Sequence, residues 1–163
     1  MCRAAFVTDD ERDPAAYAAD IDAARERMIG FVSGCSDEEW GAAPLNADPR
    51  PVAVVVDHVA HAYEYLAGWI SQFVAGQSVE VNGSVVDALN AQHARDATAV
   101  SKTEATGHLR RSGEAISVLV AGLSPADLAA GDGRVRRLAQ IAARHADEHR
   151  ADIETALASS GAA

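Results

Sequence analysis

Residues 134–160 read RVRRLAQIAARHADEHRADIETALASS, and their periodicity decides the fold class. Stepped at roughly 100° per residue, Leu138, Ile141, Ala142, Ile153 and Ala156 share a sector with His145 and His149. Arg136, Gln140, Ala143, Asp147, Arg150 and Glu154 take the opposite sector. That pattern predicts a long amphipathic helix. Residues i and i+4 are neighbours on a helix, so His145 and His149 stand one turn apart on its apolar face and can converge on one point.

The segments upstream repeat the helical period. Gly131-Asp132-Gly133 is a turn ahead of the last helix, and Gly122 with Ser124-Pro125 closes the element before it. Ser101-Lys102-Thr103-Glu104 has capping-box spacing and starts a helix toward Leu109, Ile116, Val120 and Leu123. Ser84, with Asp87 three residues on, reads as an N-cap for a stripe of Val86, Leu89, His93, Ala97 and Val100, so this third long element is predicted in two pieces broken near residue 100. Residues 77–83 read as a loop rather than a hairpin arm. Pro51 opens a helix that Gly76 ends. On its wheel Asp57, His61, Glu64, Gly68, Ser71 and Gln72 form the polar side, while His58 lies inward with Ala62, Tyr65 and Trp69. The first helix is expected from about residue 14 to 33, on Pro14, Tyr17, Ile21, Ala24, Met28 and Phe31. Ser36-Asp37-Glu38-Glu39 caps a short turn ending at Trp40. Four long amphipathic segments without a convincing strand predict an all-α helical bundle, in which facing helices build any ligand site.

Composition narrows the function. At 163 residues the chain suits one domain, 1–163, with its core within about 14–158. A formal charge of −10 opposes a grip on nucleic acid or on anionic lipid. A small-molecule or protein partner is expected instead. Cys2 and Cys35 form no CxxC pair, so neither a disulfide framework nor a thiolate zinc site is expected. The acidic stretch up to Asp13 has no apolar run of signal-peptide length, and no segment is apolar enough to span a bilayer, which makes the cytoplasm the expected location.

With no phosphate loop and no nucleophile elbow, chemistry falls to the histidines. His58, His145 and His149 would make a three-nitrogen site with a position left for water or substrate, the arrangement of catalytic zinc. Imidazole suits nickel, iron and copper as well. The alternative is a set of hydrogen-bonded core histidines. Asp152, three residues beyond His149, is a candidate acceptor orienting a ligand ring or a candidate base, against an exposed carboxylate at the stripe's edge. His93 is expected as a satisfied core or groove histidine, and His61 and His108 as surface residues. Tyr65 and Trp69 are expected to pack the core. Asn90 could line a cavity mouth.

Taken together, Ser36-Asp37-Glu38-Glu39-Trp40, Asp57-His58-Val59-Ala60-His61, Asp87-Ala88-Leu89-Asn90 and His145-x-x-x-His149-x-x-Asp152-Ile153 give a chain that resembles the DinB/YfiT-like metalloprotein superfamily over about residues 14–158. The resemblance implies a four-helix bundle in up-down-down-up order, often dimeric. It also implies a divalent metal, typically nickel or zinc, on three histidines, which correspond to His58, His145 and His149. A glutamine often stands three places after the last ligand in that family, where this chain has Asp152. Members with established activity resemble thiol transferases that use mycothiol or bacillithiol, and related isomerases; others are described as hydrolases. The expected function is thus a metal-dependent thiol S-transferase acting on a small electrophile. The alternatives are a metal-dependent hydrolase and a metal-binding or dimerising module without turnover.

Overall fold

Proline and short polar side chains set where the helices begin. The structure, a computed structural model, describes residues 12–43, 50–97 and 99–160. Helix α1 spans Pro14–Gly34, with Pro14 in the first turn and the Asp13 carboxylate accepting from the Ala16 amide at 2.8 Å. Helix α2, Asp37–Gly41, and helix α5, Lys102–Ala121, both start with the reciprocal capping box of Ser and Glu, Ser36 with Glu39 and Ser101 with Glu104. Helix α3 spans Val52–Val74 directly after Pro51, and Gly76 follows it at φ +72°, in the left-handed region that favours glycine. Helix α4 spans Gly83–Asp96 and helix α7 Arg134–Ser160.

Two details depart from expectation. The cap of α4 is Asn82, whose side chain accepts from the Val85 amide at 3.0 Å; Ser84 lies inside the helix and donates to Asn82 instead. The polar stretch after Ser124 folds as a further short helix, α6, Pro125–Ala129, with its own capping box of Ser124 and Asp127. The expected break near residue 100 is present between α4 and α5. Cys2, the stretch before Arg12 and residues 44–49 lie outside the described residues.

The four long helices α1, α3, α5 and α7 share one core. Helix α1 packs on α5 and α7, and α3 packs on the same two, so α1 and α3 stand on one diagonal of the bundle and α5 and α7 on the other. Tyr17 and Ile21 of α1, Tyr63 of α3, Ile116 of α5 and Ile153 of α7 are 0% exposed. Full burial of such side chains stabilises by about 1.5–3 kcal/mol each. The apolar sector of α7 therefore faces the core as its period requires.

Its polar sector is not simply solvated. Arg27 of α1 donates to Asp147 at 2.9 Å, and Ala143 packs against the core. That hydrogen bond, before any other influence, holds the Asp147 carboxyl below the usual carboxylate range. Among the described residues no helix is long and apolar enough to cross a membrane.

Candidate metal centre

The phase of α3 and the i,i+4 spacing on α7 bring three imidazoles together between those helices. The His58 ring centroid lies 5.4 Å from that of His145 and 5.3 Å from that of His149, and the latter two are 4.6 Å apart. One nitrogen from each ring falls within 4.8 Å of the others, so the group could hold a metal ion. The structure places His58, and not His61, in this group.

Electrostatics favours the neutral rings that a metal requires. Burial, reinforced by His145 and His149, pushes the His58 imidazole down to about 3. Burial and then His149 push His145 down to about 3 as well. Near neutral pH His58 and His145 therefore keep a lone pair free for a Lewis acid. The Nε2 of His145 is buried and has no hydrogen-bond partner, a costly condition for a polar atom unless a ligand satisfies it. Three converging donors and one orphaned nitrogen fit a divalent cation better than a self-satisfied histidine core.

An apolar pocket of about 190 Å³ opens onto this group. His58 and His145 form part of its wall, and Leu66, Trp69, Leu89 and Ile141 supply much of the rest. Asn90 does line it, as does Tyr65. Trp69 and Tyr65, expected in the core, are only half-buried because α4 stands off from α3 and leaves the pocket between them. Asp152, the candidate orienting group or base, is exposed on α7 and stands outside the pocket wall.

The remaining histidines gather beside this group, around Asp57, with the His93 ring centroid 5.8 Å from that of His58. The Asp57 side chain is 10% exposed and lies 3.0 Å from His93 Nε2 through Oδ2 and 3.0 Å from His108 Nδ1 through Oδ1. His61 Nε2 stands 3.5 Å from Asp57 Oδ2. Burial alone would raise the Asp57 carboxyl, but hydrogen bonds from His93 and His108 and the charges of His61 and His108 outweigh it and bring it down to about 2. His93 is buried as expected, although its Nδ1 has no partner. His61 and His108, expected on the surface, have side chains only 34% and 16% exposed. The α3–α5 pairing covers them, and no single-helix wheel contains that information.

A fully helical bundle with three histidines drawn together from two facing helices defines a class of metal-binding helical domain. The chain belongs to the DinB superfamily, whose family pattern matches residues 20–153. Comparison with curated proteins and with solved structures found no match.

Proposed function

We propose that the chain is an enzyme in which His58, His145 and His149 hold one divalent ion, zinc or nickel, to transfer a small-molecule thiol to an apolar electrophile. The observation that carries this reading is the juxtaposition of the three-histidine group with an apolar pocket sharing His58 and His145 in its wall. A divalent ion bound there supplies Lewis acidity that deprotonates a coordinated thiol and lowers the pKa of coordinated water to about 7.

The chain's own residues supply the rest. Leu66, Trp69, Leu89 and Ile141 take up the apolar body of the electrophile and exclude water. Asn90 and Tyr65 offer polar atoms that orient it. The sulfur comes from a small-molecule thiol, since Cys35, the cysteine among the described residues, is buried away from the pocket and burial raises its pKa. Thiol transfer needs no protein base once the thiolate is formed. Hydrolysis is less well served, because Asp152 stands outside the pocket wall.

The up-down-down-up helix order belongs to the same proposal. In its support, Asp57 meets His108 while Tyr63 lies beside Gly113, so α3 and α5 run together. Tyr17 meets Gln140 and Arg27 meets Asp147, so α1 and α7 run together. Arg134 lies over Phe73 while His145 neighbours His58, so α3 and α7 run oppositely.

The test is a turnover screen of the zinc- and nickel-loaded protein with mycothiol, bacillithiol, glutathione or water against small apolar electrophiles. Thiol-dependent turnover that disappears on chelation and in His149→Ala is expected. Turnover with water alone would replace transfer by hydrolysis. No metal-dependent turnover with any pair would favour a binding module.

A further inference from the structure

His61 and His108 share an arrangement that ordinary histidine hydrogen bonding does not satisfy. His108 has Nδ1 3.0 Å from Asp57 Oδ1 and Nε2 3.0 Å from Glu64 Oε1. His61 has Nε2 3.5 Å from Asp57 Oδ2 and Nδ1 3.3 Å from Glu64 Oε2. Each ring thus presents both nitrogens to carboxylate oxygens. A neutral imidazole carries one N–H, so its other nitrogen would set a lone pair against a carboxylate lone pair. Making both rings imidazolium satisfies the contacts but places two cations with ring centroids 4.5 Å apart.

One divalent cation resolves both problems. It would take a lone pair from one nitrogen of each ring and an oxygen of Asp57, leaving each ring's other N–H to donate to Glu64. Coordinating imidazoles normally make such an outer hydrogen bond to a carboxylate. The dimensions suit a tetrahedral ion, since metal–ligand bonds of about 2.0–2.1 Å place ligand atoms about 3.3 Å apart. His61 Nε2 lies 3.5 Å from Asp57 Oδ2 and His108 Nδ1 3.0 Å from Asp57 Oδ1, so either oxygen stands at about such a separation from one of the rings. One donor atom from each of Asp57, His61 and His108 lies within 4.8 Å of the others. His93 Nε2 also reaches Asp57 Oδ2, at 3.0 Å, with its ring centroid 4.7 Å from that of His61, while its side chain is 4% exposed and its Nδ1 lacks a partner. Glu104 and Arg111 face the same bay, so its charge is mixed beyond the two carboxylates at its floor.

We propose that Asp57, His61 and His108 form a second site for a divalent first-row transition ion, separate from the three-histidine group, with Glu64 accepting the outer N–H of both imidazoles. Two nitrogens and one carboxylate leave coordination positions open, and polar bays reach the cluster from both flanks. This site stands whether or not the chain catalyses thiol transfer.

The experiment is zinc titration of chelator-stripped full-length protein against a chromophoric competitor, with native mass spectrometry for stoichiometry and cobalt absorption for coordination. Wild type is expected to bind two ions per chain. His61→Ala and His108→Gln should each bind one, as should His149→Ala, and the double variant His61→Ala/His149→Ala none. Glu64→Gln should keep both ions but weaken one by about 10- to 100-fold, the usual cost of losing an outer-shell partner. Circular dichroism establishes that each variant is folded, and His108→Gln retains a polar side chain where alanine would leave a gap. A single wild-type ion that persists in folded His61→Ala and His108→Gln, or two ions retained in both variants, overturns the second site. If instead His149→Ala alone fails to lose an ion, the three-histidine assignment falls and the second site survives.

Discussion

Lowering the pH should unfold the metal-free protein, with the three-histidine group as the main cause. His58 and His145 are both held down to about 3 in the folded chain, against an ordinary value of 6.5. A folded value below the unfolded one means the unfolded chain binds more protons at every pH below about 6.5, so stability falls as pH falls and the loss continues toward pH 3. Between pH 7 and pH 5 the loss is about 2 kcal/mol for each group, or about 4 kcal/mol for the pair. Against a domain stability of about 5–15 kcal/mol this is large. Burial, the first influence on His61, lowers it too, which adds loss of the same sign. Asp57, held at about 2, does not titrate in this window. Urea unfolding of chelator-stripped protein should show the midpoint dropping by roughly 2 M from pH 7 to pH 5, taking a slope of about 2 kcal/mol per M. His58→Gln removes one of the two groups and should shrink the drop by about half. An unchanged midpoint, or a His58→Gln variant with the full wild-type drop, would refute the reasoning.

Other perturbations separate the roles of individual residues. His58→Ala should abolish tight binding at the three-histidine group, whereas His61→Ala should leave that ion in place; competitive zinc titration distinguishes the two, and the reverse order would misplace the phase of α3. Saturating zinc should raise the melting temperature of wild type, because an ion bound only by the folded state stabilises it by about 4 kcal/mol at a thousand times its dissociation constant; calorimetry that finds no shift counts against a preformed site. Ile153→Ala, at a 0% exposed core position, should cost about 2–5 kcal/mol in urea unfolding. Leu89→Trp fills part of the apolar pocket and should raise KM for a bulky electrophile while zinc affinity stays the same.

Much of the bundle was legible because each long helix carries its own period. The stripe through Leu138, His145, His149 and Ile153 marks the buried side of α7, and the phase of α3 separates His58 from His61 before any partner helix is known. What a wheel cannot contain is which helix covers a polar face. Asp57 and His61 sit on the polar side of α3 by sequence, yet α5 lays His108 across that side and α4 adds His93, so a solvated stripe becomes a cluster. Asp147 is similar: its sector is polar, but Arg27 crosses from α1 to meet it. Tyr65 and Trp69 follow a core pattern and line a cavity because α4 carries too few large apolar residues to close against them. Ser124 and Asp127 carried a capping-box signal that reading Ser124-Pro125 as a stop passed over.

Helix α4 also has a consequence for traffic into the pocket. His93 is its one fully buried side chain, while Val86, Leu89 and Asn90 are half-buried where they wall the cavity. A segment that buries so little apolar surface opens at a small fraction of the global unfolding free energy. Its amides should therefore exchange with deuterium well ahead of those of α7, and the passage by which a bulky molecule reaches the three histidines should be set by excursions of this one helix, tethered at Asp57, while the rest of the bundle stays closed.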